Sequence, residues 1–328
     1  MKKAEILDNN TQLGMINNRY SLVKELGSGG TSIIYKAIDL QTQKEFAIKV
    51  FHDYHSPFLE NEVKINKMIS QSKSPFFIEY FGSSVGYFSF GEKKEFKTFM
   101  VLEYADKGEA ISYFTHHGIG LNEKHTKICF SKILKRVKAL HRMGICHLDL
   151  KLDNILLCGD NYTIKLADFG FSSLIEKNKK GKAKKQNKNV GTKNYTAPEI
   201  VLGKKYDGER ADIFSLGVIL FNIRLSKFGF TEFVVDKKDI DLKNNLYQYI
   251  KDKKPNLYWE LLGKYIDIND LSDEFKDLFF KMVSFNPKER PTIEEIYNHA
   301  WLKDIRNLND KEWEQYEQEF INELKIRE

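Results

Sequence analysis

Residues 147–154, HLDLKLDN, place an acid, a cation and an amide close together at Asp149, Lys151 and Asn154. The aspartate can accept a proton from a hydroxyl group, and the lysine can stabilise negative charge that develops on a phosphoryl group. The amide oxygen can bind Mg²⁺. Apolar residues flank the stretch on both sides, so we expect a structured loop that supports phosphoryl transfer; a solvated loop is the alternative.

A further acid follows in LADFG, residues 166–170. Asp168 lies between an apolar, strand-like segment and Gly170, which is a suitable place for a second metal ligand. Asn154 and Asp168 are therefore the candidate metal-binding residues.

A lysine inside an apolar segment is the next candidate. Lys49 lies in FAIKV, residues 46–50, where an unpaired buried ammonium would cost several kcal/mol, on the order of the penalty for a buried ion. The expected anionic partner is Glu62, on a predicted helix over residues 58–70, with Glu60 as second choice. The alternative is a lysine on the outer face of a strand.

Three glycines, Gly27, Gly29 and Gly30, lie between two strand-like segments in ELGSGGTSIIYKA, residues 25–37. Backbone without side chains can approach a phosphate and direct N–H groups at it. A hairpin turn without a ligand is the alternative. No helix follows and no GK[ST] ending occurs, which disfavours a dinucleotide fold and a P-loop.

The elements that must position these residues fall into two classes. Residues 20–104 consist of short β-branched and aromatic segments that predict antiparallel strands, interrupted by the helix over 58–70. From Glu109 onward the apolar period is helical. The predicted helices there are 123–143, 211–224, 272–284 and 292–300. The sequence predicts an α+β chain in two lobes with a cleft between them.

Composition limits the class of protein. The chain has 328 residues, 41% of them apolar, and no run of eighteen apolar residues, which disfavours a membrane span. The N-terminus does not resemble a signal peptide, and three cysteines without a CxxC pair indicate reduced, mostly buried thiols. We expect an intracellular protein, in the cytoplasm first and in the nucleus as the alternative.

Seven motifs occur in a fixed order: GSGG, FAIK, HLDLKLDN, DFG, GTKNYTAPE, DIFSLGV and NPKERPT. In this order the chain resembles the eukaryotic protein kinase family, serine/threonine type, over about residues 19–302. The resemblance implies a bilobal α+β fold with a small antiparallel β-sheet N-lobe that carries one helix, and a larger, mainly helical C-lobe. The implied division is an N-terminal extension 1–18, the N-lobe 19–104, the C-lobe 105–302 and an acidic amphipathic helix 303–328.

The resemblance implies binding of ATP with Mg²⁺, or Mn²⁺ in its place, and transfer of the γ-phosphoryl group to protein Ser/Thr hydroxyls. The implied nucleotide-binding residues are Leu26, Gly27, Ser28, Gly29, Gly30, Ile34, Ala47, Lys49, Glu62, Leu102, Glu103, Ala105, Glu109 and Leu156. The implied catalytic residues are Lys49, Asp149 and Lys151, the implied metal ligands are Asn154 and Asp168, and the implied structural or regulatory residues are Thr192, Glu199, Asp212 and Arg290.

Within that resemblance, Ile34 and Ala47 would pack above the adenine and Leu156 below it. Leu102 resembles the gatekeeper, and Glu103 and Ala105 would present hinge backbone to the adenine edge.

The substrate class follows from the same comparison. The residue types at Lys151 and Thr192 resemble those at the matching positions of serine/threonine kinases rather than those of tyrosine kinases. Glu109 and Asp153 resemble acids that read basic residues upstream of the phosphosite, whereas Asn222 replaces a further acid.

Leu148 departs from the family pattern. Most of the family has arginine before the catalytic aspartate, and a phosphate on the activation loop typically neutralises that cation. Residues 174–191, LIEKNKKGKAKKQNKNVG, contain no Ser, Thr or Tyr. We therefore predict an enzyme that does not require activation-loop phosphorylation.

Two segments keep alternatives open. The net charge of +6 is concentrated in seven lysines at 177–188, which form either a solvated loop or a docking strip for acidic proteins or polyanions. In the tail, the stripe Trp313, Tyr316, Phe320 and Leu324 predicts a helix packed on the domain, with a regulatory helix as the alternative. The alternative functions are a pseudokinase scaffold, and a polyanion-binding protein that acts through the lysines.

Overall fold

The computed structural model describes residues 13–52, 57–175, 184–226 and 246–328. The described chain forms two compact units, the first ending at Asp106 and the second beginning at Lys107. Four lysines of the predicted docking strip, in the segment 177–182, lie outside the described residues. No helix in the described ranges combines the length and apolar character that crossing a membrane requires.

The first unit is an antiparallel β-structure with one helix. Its strands close into a barrel in the order β1-β2-β3-β4-β6-β5. The elements are β1 Gly14–Ile16, β2 Tyr20–Ser28, β3 Ser32–Asp39, β4 Glu45–Phe51, α1 Pro57–Gln71, β5 Tyr80–Phe90 and β6 Lys93–Glu103. The helix predicted over 58–70 is therefore present and extends by one residue at each end.

Strand β1 lies inside the segment 1–18 that the sequence places outside the kinase-like region. It pairs with both β2 and β5 and thereby closes the barrel. A side chain at Gly14 would place Cβ only 2.7 Å from the carbonyl oxygen of Ser89, so glycine permits this close approach. Ile16 is buried in the barrel core. The N-terminal extension thus contributes to the sheet from Gly14 onward.

The alternation of side chains fills the interior of the barrel. Buried positions on one face of each strand form a single core, because successive residues of a strand point to opposite faces. That core contains Tyr20, Leu22, Tyr35, Ile48, Val50, Phe88, Phe99 and Val101. A smaller cluster of Phe51, Leu59 and Met100 holds α1 on the outside of the barrel.

The second unit is mainly helical. Its helices are α2 Ala110–Phe114, α3 Glu123–Arg142, α4 Pro198–Val201, α5 Gly208–Leu225, α6 Leu246–Lys251, α7 Pro255–Leu262, α8 Asp273–Met282, α9 Ile293–Tyr297, α10 Lys303–Arg306 and α11 Asp310–Ile326. Its short strands are β7 Gly108–Glu109, β8 Ile145–Cys146, β9 Ile155–Cys158, β10 Thr163–Leu166 and β11 Ser173–Leu174. They form a sheet β10-β9-β7 and a pair β11-β8.

Helix α5 lies at the centre of this unit and packs against α3 and α8. Every residue from Ala211 to Arg224 is buried, including Asp212, as expected of a helix that is apolar on all sides. Asp207 accepts a hydrogen bond from the backbone N–H of Arg210 and so caps the N-terminus. A buried central helix can hold a polar side chain in a fixed position for the loops around it.

Two of the three cysteines are buried, in agreement with the expectation of mostly buried thiols. Cys129 and Cys146 are buried and Cys158 is half-buried, all three without a disulfide. Burial raises the pKa of the Cys129 and Cys146 thiols well above the ordinary value, so both stay protonated and unreactive.

The C-terminal helix α11 packs on α3. Asn309 caps it through a reciprocal hydrogen-bond pair with Glu312, and its buried residues are Phe320, Ile321 and Leu324. Two acidic side chains on its flank form ion pairs with α3, Glu317 with Lys132 and Glu319 with Lys124. These contacts favour the packed-helix interpretation of the tail.

Candidate active site

Lys49 and Glu62 form an ion pair in the first unit. Lys49 lies on β4 and is 5% exposed; its Nζ is 2.6 Å from Oε1 of Glu62, which lies on α1 and is 3% exposed. Glu60, the second choice, is exposed. Because removing either charge would leave its buried partner uncompensated, the pair fixes α1 against the sheet.

An apolar face surrounds this ammonium. Ile34 lies opposite Lys49 in the register of β3 and β4, and Ala47 lies opposite Leu102 in that of β4 and β6. Directly opposite residues point to the same side of a sheet, so these residues share the face opposite the barrel core. Ala47 is buried and Ile34 and Leu102 are half-buried. The arrangement gives a flat apolar surface beside a cation.

The glycine-rich turn joins β2 to β3 in the same unit. Leu26 and Ser28 are exposed on the end of β2, and the backbone N–H of Gly29 donates to the carbonyl of Ser32 at 2.9 Å. A Cβ added at Gly27, Gly29 or Gly30 would meet no atom within 4 Å. Packing within the fold therefore does not require glycine at these three positions. The remaining physical reason for glycine is that a ligand can reach the backbone.

The chain leaves the barrel through β6. The backbone N–H of Glu103 donates to the carbonyl of Glu79 at 2.9 Å, and its carboxylate accepts from the backbone N–H of Glu79 at 3.0 Å. These two bonds fix the end of the strand. Ala105 is buried immediately beyond it.

In the second unit, Asp212 holds the loop after β8. Its Oδ2 accepts the backbone N–H of His147 and its Oδ1 accepts that of Leu148, both at 2.8 Å. Leu148 has φ of 65°, a strained conformation for a branched side chain that these bonds offset. Asp212 therefore sets the direction in which the chain enters Asp149.

Asp149 is 4% exposed, and both of its carboxylate oxygens accept hydrogen bonds. Its Oδ1 accepts both the backbone N–H and the hydroxyl of Thr192 at 2.7 Å, and its Oδ2 accepts Nδ2 of Asn154 at 3.1 Å. Lys151 Nζ lies 3.7 Å from the same Oδ2. The structure thus brings together the acid, cation and amide of the HLDLKLDN stretch.

The two candidate metal ligands, Asn154 and Asp168, lie on chain segments that are hydrogen-bonded to each other. Asn154 directs its Nδ2 at the carbonyl and carboxylate of Asp149, which leaves its Oδ1 as an acceptor. The backbone N–H of Ala167 donates to the carbonyl of Asn154 at 2.9 Å, so Asp168 follows directly. Asp168 is exposed, with φ of 57°. An amide oxygen and a carboxylate are the ligand types that Mg²⁺ and Mn²⁺ prefer, so this pair fits such an ion.

Glu109 and Asp153 form an acidic surface near Lys151. Strand β7 places Glu109 opposite Leu156 of β9, and Leu156 is half-buried. Partial removal from water, followed by repulsion from Asp153, raises the pKa of Glu109, while Lys151 opposes the shift. A positively charged group bound at this surface would reduce the repulsion between the Glu109 and Asp153 carboxylates.

Glu199 and Arg290 form a bidentate ion pair at the base of the same unit. Both nitrogen–oxygen distances are 2.7 Å, and the two residues are 5% and 1% exposed. Arg290 also donates to the carbonyls of Ser284 and Arg210. The pair joins α4, which begins within the GTKNYTAPE motif, to α5 and the NPKERPT motif.

Sequence reasoning missed His141. Its Nε2 lies 2.8 Å from Oδ2 of Asp212, so α3 helps to hold the carboxylate that holds the loop. It also missed Arg136, which donates to the carbonyl of Ile164 and whose pKa is lowered by burial to about 10. Both residues lie on α3. A polar side chain on a helix that is mostly buried was the feature of the sequence that could have indicated a structural role for them. Their partners are far away in sequence and could not be found from spacing.

Comparisons with known proteins agree with this geometry. The chain is 30% identical over 297 residues to the human SNF-related serine/threonine-protein kinase, covering 89% of this chain and 34% of that protein. It is 31% identical over 293 residues to human NUAK family SNF1-like kinase 1, covering 88% of this chain and 39% of that protein. A probable serine/threonine-protein kinase of Dictyostelium discoideum is 28% identical over 293 residues, or 87% of this chain and 31% of its own length.

The chain thus spans about a third of the length of these curated relatives. The protein kinase domain pattern matches residues 20–302, which is most of the sequence. The expected fold class, a β-rich first unit with one helix and a larger helical second unit, is confirmed by this match and by the observed elements. The chain belongs to the protein kinase family.

Proposed function

We propose that this chain is an ATP-dependent protein kinase that phosphorylates serine and threonine hydroxyls. The observation that carries the proposal is the buried Asp149 carboxylate, which Thr192 and Asn154 position beside Lys151. The related proteins are named serine/threonine-protein kinases, which supports the same reaction class.

The second unit supplies the groups that act on the transferred phosphoryl group. Asp149 accepts the proton of the substrate hydroxyl through a carboxylate oxygen, and Lys151 offsets negative charge on the phosphoryl oxygens. Asn154 and Asp168 hold Mg²⁺, or Mn²⁺ in its place. When bound, the metal ion neutralises charge on the phosphates.

The first unit supplies nucleotide binding. Lys49, held by Glu62, pairs with the α- and β-phosphates, and the open backbone of Gly27 to Gly30 covers the phosphates. Ile34, Ala47 and Leu102 provide the apolar surface for the adenine ring. Glu103 and Ala105 present hinge backbone to the adenine edge.

Phosphate transfer from radiolabelled ATP to an array of serine and threonine peptides tests the proposal. We expect incorporation that requires Mg²⁺ or Mn²⁺ and stops on addition of EDTA. Peptides with basic residues upstream of the hydroxyl should be preferred, because Glu109 and Asp153 form an acidic surface whose mutual repulsion a cation relieves. Asn222, buried against Tyr195, adds no third charge, so the preference should be modest. Binding of ATP without any transfer would instead indicate a scaffold.

We also propose that activation-loop phosphorylation is not required. Leu148 is 5% exposed and apolar, so the position that carries a cation in most of the family cannot bind a phosphate. Other contacts fix the later part of the loop. The backbone groups of Gln186 and Tyr206 bond to each other in both directions, at 2.8 and 2.9 Å, and Thr192 bonds to Asp149.

Phosphatase treatment tests this point. The active protein should keep its rate within about twofold after treatment, since no negative charge has to balance a buried cation. Mass spectrometry should find no phosphate between Ser172 and Tyr195 on which activity depends. A kinase of the arginine-containing type, treated in parallel, serves as the positive control for loss of activity.

A further inference from the structure

A basic cleft lies in the second unit, and Asp149 is not among its lining residues. It is formed by the end of the lysine-rich segment, the residues after α4 and the turn before Arg290, and its volume is about 570 Å³. This volume falls in the range of sites that bind small ligands or short peptide segments.

The charges of the basic cleft are unbalanced. Its exposed cations are Lys185, Lys204, Lys205 and Lys288. In the part of the chain that the structure describes, these four lysines form no ion pair. The two carboxylates in the lining are already engaged, because Glu199 binds Arg290 through both oxygens and Asp207 caps α5. The cleft therefore presents four available positive charges.

Hydrogen bonds hold one wall in place. Gln186 and Tyr206 bond through their backbones in both directions, and the hydroxyl of Tyr206 donates to the carbonyl of Lys188 at 3.0 Å. The backbone N–H of Lys204 donates to the carbonyl of Glu199 at 2.9 Å. The backbone bearing Lys185, Lys204 and Lys205 is therefore fixed.

The opposite wall is a capped turn. The side chain of Asn286 accepts the backbone N–H of Lys288 at 3.2 Å, and Arg290 Nε donates to the carbonyl of Ser284 at 2.8 Å. Lys288 thus projects from backbone that is tied to the buried Glu199–Arg290 pair. Fixed backbone on both walls lowers the entropy lost when a ligand orders the cleft.

Apolar groups lie between the cations. Leu202, Phe285 and Pro287 are half-buried in the lining, and Tyr206, in the same lining, is buried. An extended polyanion would leave these groups without complementary contacts. A peptide that carries carboxylates around an apolar side chain would satisfy both kinds of surface.

We propose that the basic cleft docks an acidic peptide segment of a partner protein, with one aromatic or aliphatic side chain inserted against Leu202 and Phe285. This site is larger than the lysine run at 177–188, because Lys204, Lys205 and Lys288 of the basic cleft lie outside that run. Docking there needs neither ATP nor phosphoryl transfer, so failure of this proposal and failure of the proposed enzymatic activity are separate results.

Fluorescence anisotropy without ATP tests the docking site. The probe is a fluorescein-labelled peptide with two acidic residues on each side of one phenylalanine. For the full chain we expect saturable binding that weakens as salt is added. In Lys204→Glu/Lys205→Glu, Kd should rise by about tenfold, because two favourable contacts become repulsive. Replacing the peptide's phenylalanine by serine should also weaken binding.

The matched control is Lys264→Glu/Lys311→Glu, which makes the same charge change at exposed lysines elsewhere in the second unit. Its Kd should stay within about twofold of the parent value. Equal losses in both double variants, or none in either, would overturn the site. Tighter binding of a DNA duplex than of the peptide, with the same dependence on Lys204 and Lys205, would also overturn the proposal, because the occupant would then be nucleic acid.

Discussion

Replacing Asp149 by asparagine should lower kcat by about 10²–10⁴-fold, the contribution typical of a positioned general base. The amide cannot accept the proton of the substrate hydroxyl at neutral pH. Its NH₂ group would also replace an oxygen that accepts a hydrogen bond and would face a donor, since both carboxylate oxygens accept hydrogen bonds from Thr192 and Asn154. Steady-state kinetics with a peptide substrate gives kcat, and circular dichroism verifies that the variant is folded.

The control for this variant is Asp160→Asn. Asp160 is exposed in the turn between β9 and β10, so the same chemical change there should leave kcat within about twofold. Retention of most of the activity in Asp149→Asn would mean that the buried carboxylate is structural, and the assignment of the catalytic base would be wrong.

Replacing Arg290 by methionine should lower the free energy of unfolding by about 3–5 kcal/mol, the usual result of removing one partner of a buried ion pair. The Glu199 carboxylate would stay buried without its bidentate partner, and the carbonyls of Ser284 and Arg210 would lose a donor. Chemical denaturation of the purified chain, followed by fluorescence, measures the change.

Lys281→Met is the matched control, because it breaks an ion pair with Asp277 in which both side chains are about half exposed. Its loss should remain below about 1 kcal/mol. The double variant Glu199→Met/Arg290→Met should recover part of the loss, since no charge is then buried alone. A small loss in the single variant, similar to that of the control, would show that the pair does not stabilise this unit.

Some of the site followed from the residues themselves. A lysine inside an apolar strand requires a buried anion, and the helical phase of residues 58–70 selected Glu62 over Glu60. The close approach of Asp149, Lys151 and Asn154 followed from their spacing. By contrast, a structural or regulatory role for Asp212 came only from the family resemblance, because its partners are backbone N–H groups more than sixty residues away.

The differences between predicted and observed elements have local causes. Strand β1 has only three residues, too few for an alternating pattern to be recognised. Strand β5 runs without a break from Tyr80 to Phe90, although its register shifts between Tyr80 and Gly82, so the short segments expected there form one long strand. Helix α9 ends at Tyr297 rather than at residue 300, because a 3₁₀ turn capped by His299 follows.

Closure of the barrel by β1 has a consequence for association between molecules. Strand edges with unpaired peptide groups recruit strands from other chains and promote aggregation. In the described first unit, β1 covers Tyr20–Leu22 of β2 and Phe88–Ser89 of β5, so these parts of the two outer strands have a neighbour on both sides. Loss of Gly14–Ile16 would uncover them together and lengthen the strand edges that can template intermolecular pairing.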